Sequence, residues 1–183
     1  MTTKKTAKPS AKRPAPKRRA VSAPSSKRVA APDRNTQRIG RCGELLVQYQ
    51  LLCLGIESAP MTTDAGIDLV AFDTRAHQAC TIQVKTCKMP KPGGGKGKLA
   101  LSWFIADDCP ADVAAFVDLS TNSVWLFHMT EVPDLAQQHA SGRYHLYMHV
   151  DPHANPRVTK AARMSDFEGH RLSWKAPHLF KQR

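Results

Sequence analysis

The sequence predicts one mixed α/β domain, with a central mixed β-sheet flanked by helices and a disordered basic tail in front of it. Three observations lead there. A periodic helical segment is followed by several strand-like segments, and only then by short helical and strand patterns, as mixed α/β folds require. Two of the strand-like segments are strongly apolar and yet hold isolated polar residues. Finally, the positive charge sits at one end. Up to Arg38 there are 12 Lys and Arg against one acid, Asp33, whereas the rest of the chain holds 15 basic and 14 acidic residues.

The segment 1–38 contains Pro9, Pro14, Pro16, Pro24 and Pro32, many Ala and Ser, and no aromatic residue. It has too little apolar surface to offset the entropy of ordering, so disorder is expected. A flexible polycation binds phosphate backbones by releasing counterions and reads no sequence. The same composition also suits a solubilising tail, a nuclear address around Lys17-Arg18-Arg19, or an organelle transit segment. No apolar run approaches the roughly 18 residues that a membrane span needs, so no membrane partner is expected. The five cysteines, Cys42, Cys53, Cys80, Cys87 and Cys109, form no CxxC pair. They read as small buried residues in a reducing compartment. With no secretory h-region, the expected location is intracellular, cytoplasmic or nucleoid-associated if the source is bacterial.

Residues 40–54 read as a helix. Positions 42, 45, 46, 49, 52 and 53 form one apolar stripe, and Gly40, Gly43, Val47, Leu51 and Leu54 form a second face almost opposite. Burial on two sides is therefore expected, with Gly55 ending the helix. Strands are expected at 56–59, at 66–72 and at 80–86, the last two joined as a hairpin. Gly93-Gly94-Gly95 marks a mobile loop over 90–98, whose order is not that of a Walker phosphate loop. Another strand is expected at 99–106, a hairpin from 114–119 and 124–129, a short helix over 131–140 and a last strand at 144–150. After Asp151-Pro152 the pattern weakens, although Ser165 followed by Glu168 fits a capping box on a brief helix. His145, His149 and His153 fall on a period-2 strand pattern and then a turn, so they read as exposed histidines and not as a metal site.

The chemistry lies in the two strong strands. Side chains alternate faces along a strand, so Gln83 and Lys85 share one face while Ile82, Val84 and Thr86 take the other. On the neighbouring strand Asp68 shares a face with Val70 and Phe72. Lone charges in runs this apolar cost several kcal/mol unless paired or coordinated. A hard cation would answer that cost, with Asp68 as an oxygen ligand. Glu44 adds a third oxygen donor from the second face of the helix. Taken alone, Asp68 with Lys85 is equally a cross-strand ion pair, and Glu44 a first-turn acid favoured by the helix dipole.

Gly43-Glu44 on a leading helix, then Gly66-Ile67-Asp68-Leu69-Val70, then Ile82-Gln83-Val84-Lys85-Thr86, resembles the PD-(D/E)XK nuclease superfamily. The resemblance covers roughly residues 39–130 and includes the later hairpin. It implies a restriction-endonuclease-like fold over 39–150, with 151–183 as a C-terminal extension. Ile67 stands where the superfamily's name has proline. Gln83 stands where most members have a carboxylate, as in a branch of group I intron homing endonucleases. The resemblance implies a Mg²⁺- or Mn²⁺-dependent endonuclease acting on DNA, with Glu44, Asp68, Gln83 and Lys85 as the catalytic set. Asp68, the Gln83 oxygen and Glu44 would hold the ion, Lys85 would orient water or stabilise the phosphate, and Thr86 would assist. The Val84 carbonyl is a usual further ligand. Losing one negative charge at Gln83 weakens cation binding, so the alternative is a non-cleaving nucleic-acid-binding module of the same fold. Double-strand cleavage with one site per chain favours a homodimer or tetramer.

Overall fold

A computed structural model of the protein describes Thr2 and residues 34–63, 65–156 and 158–180. The element order is α1 (Arg34–Cys53), β1 (Ile56–Pro60), β2 (Leu69–Asp73), β3 (Gln78–Cys87), β4 (Lys91–Pro92), β5 (Leu99–Ala106), β6 (Val113–Asp118), β7 (Ser123–His128), α2 (Val132–Leu135), β8 (Gln138–Ala140), β9 (Arg143–His149) and α3 (Leu172–Leu179), with 3₁₀ turns at Gly93–Gly95 and Met164–His170. Among the described residues no helix is long and apolar enough to cross a membrane.

Five strands form a mixed sheet in the order β1-β2-β3-β6-β7, in which only β3 and β6 run parallel. Strand β6 reads V-A-A-F-V-D and is buried at every position, as a strand covered on both faces must be. One face packs on α1 and α3, where Val47, Leu51, Leu172 and Ala176 meet Leu69, Ile82, Val84 and Ala115. On the other face Ala114, Phe116, Trp125 and Phe127 meet a second, four-stranded sheet ordered β4-β5-β9-β8. Leu101, Trp103, Ile105, Leu146 and Met148 are its inward residues. The expected mixed sheet flanked by helices is thus present. Helices α1 and α3 lie on one side, and a second sheet that the linear pattern did not separate covers the other, with α2 beside it.

Several local expectations need correction. The helix starts at Arg34, so residues 34–38 belong to α1 and not to the tail. The rest of the expected tail, residues 3–33, lies outside the described residues. Only one face of α1 is buried. Val47 and Leu51 are fully covered, but Leu45 (51% exposed), Tyr49 (65%) and Leu52 (64%) of the other stripe are not. The short helix expected over 131–140 is one turn, Val132–Leu135, followed by β8, because Gln138–Ala140 pair with β9. Residues 158–180, expected as an extension, are part of the core: Phe167, Leu172 and Ala176 are buried in it. Cys42 and Cys53 are exposed rather than buried, and Cys80, Cys87 and Cys109 are half-buried. Of the three histidines, His153 is exposed as expected, whereas His145 and His149 are half-buried.

Candidate active site

The β2–β3 register pairs Leu69 with Ile82, which sets Asp68 opposite Gln83. Strand β2 begins at Leu69, later than the Gly66 expected. Asp68 still belongs to the ladder, since its N–H donates to the Ile82 carbonyl at 2.9 Å and its own carbonyl accepts from Met61 at 2.8 Å. Gly66 turns the chain into this position at φ +79°, and a Cβ there would lie 2.9 Å from Pro110 Cδ. Glycine is needed twice over, for the left-handed backbone and for the space.

The Asp68 carboxylate is half-buried, and one oxygen takes two donors. The Val84 N–H reaches Oδ2 at 2.6 Å, and the Gln83 side-chain Nε2 donates to the same atom. Burial is the main reason that its pKa is held above the ordinary aspartate range, and the charge of Glu44 adds to the effect. The Val84 N–H, the Lys85 ammonium and the Gln83 amide pull the other way without cancelling it. Gln83 is only 5% exposed, one of few buried polar side chains among the described residues.

Glu44 reaches the site from α1, and Arg41 Nη1 holds its Oε2 at 2.7 Å. The helix can come this close because residue 43 is glycine. A Cβ there would lie 1.9 Å from Thr86 Oγ1 and 3.0 Å from Thr86 Cβ. The Thr86 hydroxyl is buried in this contact with no hydrogen-bond partner among the described residues.

A cleft of about 620 Å³ collects Glu44, Asp68, Gln83, Val84, Lys85 and Thr86. All four residues expected from the sequence are therefore brought together, with the accessory Thr86. Sequence reasoning missed the walls, Thr36 and Gln37 of α1 and the loop residues Met61, Thr62 and Thr63. It also missed the Arg41–Glu44 pair, although acid and base three apart on a helix are neighbours. The oxygen donors facing the cleft are two carboxylates and, if its amide turns, the Gln83 carbonyl. Among the described residues no three His, Cys, Asp or Glu side chains cluster as a metal site.

No family model matches the sequence, and no curated protein matches it. Solved structures do. A bacterial homing endonuclease, I-Ssp6803I, is similar over 81% of this chain and 99% of its own, with a TM-score of 0.50 at 15% identity. Hjc, a Holliday junction resolvase from the archaeal hyperthermophile Archaeoglobus fulgidus, is similar over 58% of this chain and 82% of its own, at a TM-score of 0.40 and 15% identity. At 15% identity the likeness to the homing endonuclease is one of architecture alone. In fold, then, the chain is restriction-endonuclease-like.

Proposed function

We propose that the protein is a metal-dependent DNA endonuclease that hydrolyses phosphodiester bonds in the α1–β2–β3 cleft. The observation that carries this reading is the convergence of Glu44, Asp68, Gln83 and Lys85 in one cleft of a restriction-endonuclease-like fold. The donors fit a hard cation such as Mg²⁺ or Mn²⁺. Glu44 and Asp68 are near enough for one to raise the other's pKa, a repulsion that a divalent ion relieves. Asp68 and Glu44 would hold the ion, joined by the Gln83 side-chain oxygen. When bound, the ion supplies a polarised phosphodiester and a water that ionises near neutral pH.

The other roles fall to the chain itself. Lys85 sits on the same strand face as Gln83 and adds an ammonium that stabilises charge growing on the scissile phosphate. The Val84 N–H fixes the Asp68 carboxylate, and the Arg41 guanidinium steadies Glu44. Thr86 sets the approach of α1 to β3. The basic segment before the domain, with ten Lys and Arg before Asp33, would add sequence-independent affinity for DNA. The protein would work inside the cell, in the cytoplasm or on a bacterial nucleoid.

One observation favours a second reading, a catalytically weakened nucleic-acid-binding module. Gln83 gives its amide nitrogen to Asp68 instead of offering oxygen to the cleft. Plasmid nicking with Mg²⁺, Mn²⁺ or chelator, on linear, supercoiled and four-way-junction DNA, separates the two readings. Asp68→Asn and Lys85→Ala should each abolish metal-dependent cleavage while most DNA binding remains. Wild-type cleavage rates in both variants would refute the assignment.

Cutting both strands with one cleft per chain calls for a dimer or tetramer. Cys42, Leu45, Tyr49 and Leu52 follow the 3-4-3 spacing of a helix seam, carry no charge and are all exposed. This stripe of α1 is where a second copy would pack.

A further inference from the structure

Strands β5 and β9 pair from Ala100↔His149 to Ala106↔Arg143. Their inward residues fill the core between the sheets, so the outward face consists of Ala100, Ser102, Phe104 and Ala106 beside Arg143, His145, Tyr147 and His149. An outward strand face normally carries charge. This one carries a single charge, Arg143 at its end, and rings over the rest. Phe104 and His145 stack with centroids 4.1 Å apart at 16°, His145 meets Tyr147 at 5.4 Å, and Tyr147 meets His149 at 5.5 Å. Phe104 leaves 53% of its surface open.

At its far end the ladder runs into a hollow of about 650 Å³ walled by Lys91, Lys98, Gly93, Gly97, Tyr147 and His149, with no carboxylate in its lining. The middle of the ladder, at Ser102 beside Tyr147, touches strand β3. Cys87, two residues beyond Lys85, donates its thiol to the Ser102 carbonyl at 2.9 Å. The Ser102 hydroxyl in turn bonds His145 Nε2 at 2.7 Å, and Gln138 Oε1 bonds the other ring nitrogen at 3.2 Å. These two bonds fix the plane of the His145 ring. Burial also lowers the His145 pKa, so at neutral pH it is an uncharged ring.

We propose that this outer face is a base-stacking site for an unpaired nucleic-acid strand, with Phe104 as its most open platform and Lys91 and Lys98 taking the backbone phosphates. The ring ladder beside a carboxylate-free, lysine-walled hollow is what carries it. Rings offer their faces to bases of any sequence, and the lysines supply the positive charge that follows a backbone. In a duplex the bases already cover one another's faces, so the strand held here is single. The inference rests on the reading of the cleft as a nuclease site and deepens it: the preferred substrate joins duplex in the cleft to a single-stranded branch or flap.

The test is equilibrium binding of the full chain, with chelator present, to a single-stranded oligonucleotide carrying 2-aminopurine and to the corresponding duplex, at physiological salt. Stacking quenches the probe. Phe104→Ala should weaken single-strand binding by roughly 5- to 100-fold and remove the quenching, while duplex affinity stays within about two-fold. Phe104→Trp should restore both. Unchanged single-strand affinity in Phe104→Ala overturns the proposal, as does equal loss for both forms. A change of oligomeric state in Phe104→Ala overturns it too, since the face would then be covered by another copy. Cleavage by wild type reports separately on the nuclease reading. A chain that cuts DNA but shows no Phe104 effect loses only the stacking site, and one that shows the effect but cuts nothing loses only the chemistry.

Discussion

Replacing Gln83 with glutamate tests the centre of the site. The side chain is 5% exposed and its amide donates to the Asp68 carboxylate. Glutamate keeps the volume, removes that donor and sets a second carboxylate against the first. Two unit charges about 4 Å apart repel by about 4 kcal/mol at an effective dielectric near 20. At about 2–4 °C per kcal/mol for a chain of this size, the metal-free variant should melt roughly 8–16 °C below wild type at neutral pH. Repulsion raises the folded-state pKa values of the pair above their unfolded values of about 4. The penalty is therefore absent at low pH, where both carboxyls are protonated in both states, and grows as pH rises through the unfolded values. The gap between the two melts should be smallest near pH 4 and largest near pH 8. If residue 83 faces the ion, millimolar Mg²⁺ should recover most of the loss, since a ligand at about 100 times its Kd adds about 2.7 kcal/mol. A destabilised variant that magnesium does not rescue refutes the metal-ligand role. Equal melting of variant and wild type at neutral pH refutes the hydrogen-bonded arrangement with Asp68.

Gly43→Ala should cost about 1–3 kcal/mol by overpacking, because its Cβ would sit 1.9 Å from Thr86 Oγ1. It should also slow cleavage by pushing Glu44 outward, and Thr86→Ala in the same chain should restore part of both, as read by melting and nicking assays. Deleting residues 1–33 removes ten of the 27 Lys and Arg. The dependence of DNA affinity on salt should become shallower while cleavage at saturating DNA survives, and an unchanged slope would assign the segment another role. Leu52→Asp, at a position 64% exposed, should leave melting of the separate chain nearly unchanged. In sedimentation it should move the protein toward monomer, and no change in mass would exclude the α1 seam as a contact between copies.

Asp68, Gln83 and Lys85 were legible because period-2 alternation fixes which residues share a face, and polar side chains stand out in apolar runs. The register that sets Asp68 opposite Gln83 then followed from burying Leu69 with Ile82. Helix α1 was legible as a helix, but its buried side was not. Both stripes were apolar, and only tertiary packing decided that Val47 and Leu51 go inside while Tyr49 stays out. The second sheet escaped because β5 and β9 lie nearly 40 residues apart, a pairing on which local pattern is silent. Helix α3 was hidden by Pro177 inside an eight-residue element. Residue type gives Gln83 a donor and an acceptor but not which way its amide faces, and only the structure turns the nitrogen to Asp68.

Strand β3 pairs with β2 over Gln78–Ile82 and with β6 over Ile82–Cys87, so the stretch that carries Gln83 and Lys85 is held in the sheet by β6, with the Asp68 carboxylate on the Val84 N–H at its other edge. The two halves of the site therefore differ in stiffness. Gln83 and Lys85 ride on a backbone whose amides open only when the sheet itself comes apart, so they should be among the last in the molecule to exchange with deuterium. Glu44 rides on a helix with one face in solvent, and Met61, Thr62 and Thr63 sit in a loop. Adjustment to the substrate proposed above would come from that outer half. The sheet acts as the anvil, and α1 with Met61, Thr62 and Thr63 as the jaw that sets the gape.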